Sequence, residues 1–155
     1  MLKPDSLRKA LTESVPVLSK NPEMLRLFID NGKINSTLAA SLSFEKQYTL
    51  NVVVTDFTDD FDLLLVPVLA WLREQQPDIM TSEEGRKKGF TWYADINTDK
   101  SVDVSISLLL TERTIVKQVD NALHVNCVPE QPPADPVTRP TVMYINGELL
   151  SQFNE

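Results

Sequence analysis

A stretch running from Ser41 to Leu72 constrains this chain most: a long alternating segment passes directly into a run that is apolar almost all the way round. From Leu42, one parity reads Leu42, Phe44, Lys46, Tyr48, Leu50, Val52 and Val54, and the other Ser43, Glu45, Gln47, Thr49, Asn51, Val53 and Thr55. Successive strand side chains point to opposite faces, so one face is apolar and the other rich in hydroxyls and amides. Such a strand extends about 43 Å, against roughly 17–20 Å for an ordinary one. A strand that outruns its own core leaves surface for a neighbouring subunit.

The run that follows reads as a helix with Asp59, Asp60 and Asp62 at its positive end. Phe61, Leu64, Leu65, Val68, Leu69 and Leu72 form a core stripe, which Val66, Ala70 and Trp71 widen past one face. Pro67 falls inside and forfeits a backbone hydrogen bond. So wide an apolar helix calls for cover on two sides, the sheet on one and a second subunit on the other.

Elsewhere, Leu7, Ala10, Leu11 and Val15 recur at helical spacing between Pro4 and Pro16, which predicts an amphipathic helix over 4–14. Asn21-Pro22-Glu23 could open a helix that Gly32 closes, yet Leu25, Leu27 and Ile29 alternate with Arg26 and Asp30. With Asp30-Asn31-Gly32 as a hairpin signal, the favoured reading is a strand and then a turn. Phe90 to Ile96 and Val102 onward, as far as Val116, form a second hairpin around Asn97-Thr98-Asp99-Lys100. Ala122 to Val128 makes a further short strand. The fold class is α+β: an antiparallel sheet of long hairpins, one long helix on one face and a short N-terminal helix.

Residues 129–140 hold five of the ten prolines and suit an extended tether. This divides the chain into a domain over 1–128, the tether over 129–140, and a C-terminal β segment or arm over 141–155. A tethered strand suits addition to a neighbour's sheet edge, though a tail folding back on its own domain is an equal reading.

Candidate chemistry is thin. A net charge of −7 without a basic stripe is wrong for nucleic acid. Arg86-Lys87-Lys88, beside Glu83 and Glu84, reads as a solvated loop. The longest apolar run, Leu63 to Leu72, is ten residues, half of what a membrane span needs. Met1-Leu2-Lys3-Pro4-Asp5 lacks the apolar core of a signal peptide, so the expected site of synthesis is the cytosol. Asp95, Asn97, Asp99, Ser101 and Asp103 alternate like a calcium loop, but Lys100 and Ile106 replace the required glycine and bidentate glutamate. Asp56, Asp59, Asp60 and Asp62 could bind Mg²⁺, yet a helix start already accounts for them. His124, the only histidine, reads as solvated or partner-facing, and Cys127 as a small buried residue. No cofactor, metal site or catalytic residue is expected.

The opening Met1 to Leu11, the block Leu38 to Lys46, Asp59 to Arg73, Gln76 to Ile79, Gly89 to Asn97 and Leu110 to Thr114 together resemble the tail completion protein R family of Peduovirus-type contractile-tailed phages. The likeness extends through the Pro-rich stretch and Tyr144 to Glu148. It implies a tail terminator-like virion protein that assembles as a ring, commonly six-fold. By that resemblance it caps tail tube and sheath at the head-proximal end of the tail and presents the head-joining surface. Implied partners are copies of itself, tube and sheath proteins and a head-completion or connector protein, met in the host cytoplasm before the virion. The alternatives are a baseplate or head-side adaptor and, from another class, a metal-dependent enzyme using Asp56–Asp62. A closed ring needs two different faces of each subunit in contact. The candidate interface residues are Val53, Leu109, Trp71, Met143, Tyr144 and Ile145.

Overall fold

A computed structural model describes residues 2–36, 41–129 and 142–152. Two long strands form its spine: β2 (Phe44–Phe57) and β4 (Val102–Val119), 14 and 18 residues, paired antiparallel from Phe44↔Thr114 to Phe57↔Val102. On the other side of β2 lies β1 (Leu25–Ser36), and on the other side of β4 lies β3 (Phe90–Ile96), giving the order β1-β2-β4-β3. β5 (Ala122–Val128) folds back on the far end of β4. Arg113 pairs with both Glu45 and Val128, so β5 and β3 share the same edge of β4, one at each end.

The greasy parity makes the core. Leu25, Tyr48, Leu50, Val52, Val54, Val104, Ile106, Leu108 and Leu110 are all buried on one sheet face. Against them pack α1 (Lys3–Ser14), through Leu7 and Leu11, and α3 (Asp62–Gln75), through Leu63, Leu64, Pro67, Val68, Trp71 and Leu72. Between the two helices in sequence lies the short α2 (Pro16–Lys20), and α4 (Asp78–Thr81) with a π-helical turn at Gly85–Gly89 connects α3 to β3. That connection is tight. A Cβ on Gly85 would stand 2.6 Å from the Asp78 carbonyl oxygen and 2.7 Å from Ile79 Cα, so only glycine fits. The fold is therefore α+β, a curled antiparallel sheet under a few helices. α1 and α3, of 12 and 14 residues, are near equals rather than a long helix beside a short one.

Several details differ from the sequence reading. Asp30-Asn31-Gly32 is not a hairpin turn: the pairing skips from Asp30↔Thr49 to Lys33↔Gln47, and β1 continues to Ser36. Asn31 takes the left-handed φ of 53° that a turn would have used, but here it makes a bulge. A second bulge, with Asp56 at φ 56°, ends the β2–β4 ladder, and the Asp103 carboxylate accepts the Asp56 N–H at 2.9 Å. Leu69, assigned to the core stripe of α3, is 45% exposed, and Leu63 takes its place. Cys127 is exposed rather than buried, because β5 lies beyond the helix layer. The basic run 86–88 lies on the π-helical turn, where Lys87 pairs with Glu83 at 2.8 Å on the surface.

A buried polar network fastens the helices to the spine. β3 and β5 leave Thr111 without a strand partner on their edge of β4. The Thr111 N–H donates to Gln76 Oε1 at 3.0 Å, and Lys3 Nζ donates to the Thr111 carbonyl at 2.6 Å and to Gln76 Oε1 at 2.7 Å. Two side chains thus do what a strand backbone would have done. Beside them Glu112 accepts the backbone N–H groups of Leu2 and Lys3 at the start of α1, and the Tyr48 hydroxyl at 2.9 Å. A carboxylate at a helix N-terminus meets unpaired donors and the positive dipole end together. Lys3, Gln76 and Glu112 are all buried, and removing Glu112 takes the acceptor from the Tyr48 hydroxyl and the first amides of α1.

The C-terminal hairpin, β6 (Val142–Ile145) and β7 (Glu148–Gln152), turns through Asn146 and Gly147, both at positive φ, as a primed two-residue turn requires. Met143 is buried in the core, with Ile145 and Leu150 against it. The tether, from residue 130 on, lies outside the described residues.

Two outcomes test this packing. Met143→Ala lowers stability to urea by about 2–4 kcal/mol if the hairpin docks on its own core, and an unchanged midpoint refutes that docking. Burial first, then the hydrogen bond and charge of Glu112, push the Tyr48 hydroxyl far above the usual phenol range. The folded state keeps that proton where the unfolded chain loses it. Stability therefore falls as pH rises above about 10, by up to about 1.4 kcal/mol per pH unit, and the slope flattens in Tyr48→Phe.

Candidate assembly surface

Both main helices lie on one face of the sheet, and among the described residues no helix packs over the middle of the other, where only the α4–π-turn segment borders one flank, beside Thr49 and Leu109. The rows of that other face follow from the register. Phe28, Asn51, Ser107 and Thr91 lie abreast, and so do Arg26, Val53, Ser105 and Tyr93, with Asp30, Thr49 and Leu109 on the opposite flank. Phe28 is 47% exposed, Leu109 40% and Tyr93 65%, and Val53 is half-buried. The hydroxyl- and amide-rich parity read in the sequence is thus a real face, studded with apolar and aromatic groups. At its centre Asn51 is buried among its neighbours. Its Oδ1 accepts from the Ser107 hydroxyl at 2.9 Å, while its Nδ2 meets no acceptor among the described residues. An unpaired buried amide costs on the order of 1–3 kcal/mol, and this one sits on a face open to a partner.

Two more apolar surfaces flank the sheet. On α3, Val66 and Leu69 are 42% and 45% exposed, diametrically opposite the buried stripe. On the β4–β5 arm, Val119, Leu123 and Val125 are exposed. Trp92, on the core-facing parity of edge strand β3, is half covered by Phe61, their rings 4.9 Å apart and tilted by 59°. Exposed apolar residues scattered singly are ordinary, but here they gather by face.

Of the six candidate interface residues, Val53 and Leu109 share the bare sheet face, with Asn51 and Ser107 between them. Trp71 is covered by its own chain and donates its indole N–H to Ser6 Oγ at 3.0 Å. Met143 is covered too, Ile145 is half-buried, and Tyr144 is open to solvent. Phe28, Val66 and Leu69 were missed as surface. Phe28 was legible, since it stands on the polar parity between Arg26 and Asp30. Val66 and Leu69 were not, because an all-round apolar helix does not say which side meets the sheet.

Several of the polar groups with possible chemistry bond within their own turns. In the β3–β4 turn the Asn97 amide donates to Ser101 Oγ and to Asp103 Oδ1, and Ser101 donates its N–H and its hydroxyl to Asp99. Those two bonds hold the Asp99 carboxyl below its usual range. Asp60 accepts the Asp62 N–H at 2.9 Å in the turn leading into α3. Among the described residues no three His, Cys, Asp or Glu side chains converge as a metal would require, and no helix is long and apolar enough to cross a membrane. An open depression of about 450 Å³ beside β4 is bounded by Tyr48, Gln76 and Thr111, whose polar groups already bond one another or Glu112.

Comparison with known proteins supplies the family. A family model described as P2 phage tail completion protein R matches residues 1–131. A tail completion protein R from Escherichia phage P2 is 72% identical over 155 residues, covering 100% of both chains. No solved structure matches. The chain belongs to the P2 phage tail completion protein R family.

Proposed function

We propose that this protein completes a contractile phage tail by binding, without catalysis, as a ring of identical subunits at the head-proximal end. There it stops growth of tube and sheath and presents the surface to which the head joins. Full-length similarity to a protein named for tail completion supports the tail role. The observation that carries the assembly role is the bare sheet face, with Phe28, Val53, Leu109 and the orphaned Asn51 amide on it. A four-stranded face of this length offers on the order of 900 Å², close to the roughly 800 Å² each partner contributes to a standard interface.

A ring formed from one kind of subunit needs two unlike surfaces on each copy, and this subunit has an apolar ridge on its helix layer as well as the sheet face. The C-terminal segment after the tether serves as a further assembly element through the exposed Tyr144, once Met143 and Ile145 have anchored the hairpin. Its partners are further copies, tail tube and sheath proteins, and a head-side connector.

Phage grown without this protein should accumulate tails that are overgrown or malformed at one end and fail to join heads, visible by negative-stain electron microscopy. Particles of normal length and infectivity would refute the role. Tails of normal length with a defective baseplate would relocate the protein to the other end.

A further inference from the structure

We infer that neighbouring copies meet with the outer ridge of α3 laid across β1 on the bare sheet face of the next copy. This names the contact within the ring reading and rests on it.

The ridge is a single stripe. Asp62, Val66, Leu69 and Arg73 follow one another at intervals of four, three and four residues, which puts all four on one line of the helix, and all four are exposed. Acid stands at one end, base at the other, and two apolar side chains lie between. The outer face of β1 carries the matching series: Arg26, Phe28 and Asp30, base, aromatic and acid, all exposed. Antiparallel to each other in charge, the two series pair Asp62 with Arg26 and Arg73 with Asp30, with Val66 and Leu69 on the Phe28 ring. The lengths agree. The helix stripe extends about 16 Å and the strand series about 13 Å, a difference that arginine side chains absorb.

Asp62 and Arg73 complement the dipole at the two ends of α3, and beyond that the four charges are left open to a partner. Among the described residues Arg26, Asp62 and Arg73 make no ion pair, and the Asp30 carboxylate receives only the neighbouring Asn31 amide, at 3.4 Å. Helix layer and bare face lie on opposite sides of a two-layer subunit, so each copy offers one surface forward and the other back. Such a contact is heterologous and propagates in one direction until the rotation closes it. It also gives the sheet a helix layer on its second face, the usual way for a sheet to bury both sides. The Phe28 ring lies abreast of Asn51, so the same contact encloses the orphaned amide.

The test uses the full chain and a charge exchange. Arg73→Glu and Asp30→Lys should each weaken self-association at least about tenfold in sedimentation velocity, and the double variant should recover most of the loss. Phe28→Ser should weaken it without rescue by either. All three positions are exposed, and circular dichroism melts of each variant confirm that the fold is retained. Phage complementation gives a second reading: each single exchange should fail to complete tails, and the double should restore them. If wild type associates and the exchanges leave association unchanged, or the double fails to recover it, this contact is overturned while assembly stands. If the exchanges block tail completion but not self-association, the face holds a different tail protein and the inference is overturned. If wild type is a lone monomer in solution and a single copy in finished tails, the ring reading falls as well.

Discussion

The pairing of β2 with β4 is the constraint on which the rest depends. One ladder from Phe44↔Thr114 to Phe57↔Val102 gives the core its floor, sets which side chains face the helices, and leaves the reverse side open. Because strand side chains alternate, a slip of one residue would exchange the buried Leu50, Val52 and Val54 for Thr49, Asn51 and Val53. The apolar parity forbids that slip. The same alternation that builds the core therefore dictates what the outside carries, and core and assembly surface are two readings of one pattern.

The helix layer is held to that ladder by polar as well as apolar contacts. Gln76, from the end of α3, and Lys3, from the start of α1, satisfy the Thr111 backbone where no strand reaches it, and Glu112 gathers the first amides of α1. Direction comes from this arrangement. Apolar packing alone would let α1 and α3 slide over the sheet, whereas buried hydrogen bonds to fixed backbone groups admit one placement. Placement matters for a subunit whose helix ridge and sheet face must each meet a neighbour at a defined angle.

Much of this was legible from residues alone. Val52, Val54, Ile106 and Leu108 announced buried strand faces, the Asn97–Lys100 turn sat where polar residues interrupt them, and β5 has the bounds its alternation suggested. What failed did so for physical reasons. Asn31-Gly32 supplies a left-handed residue equally well to a turn or a bulge, and the length of the partner strand decided between them. Leu69 misled because a helix apolar on all sides carries no marker of its outer face. The strand-like role of Gln76 and Lys3 has no sequence signature, since it arises only when β3 and β5 leave a gap between them. Of the surface, Val53 and Leu109 showed as apolar residues on a polar parity, while Trp71 and Met143 are packed within the chain.

The central claim is that the bare face of the sheet is covered by another subunit in the assembled tail. Hydroxyl-radical footprinting with mass spectrometry measures it directly, by comparing side-chain oxidation in the free protein with that in finished particles. The account predicts that Phe28 and Leu109, both open in the single chain, become strongly protected in the particle, while Lys87 on the solvated turn between α4 and β3 supports the same modification of its peptide in both states. Equal oxidation of Phe28 and Leu109 in the free and assembled protein would contradict it.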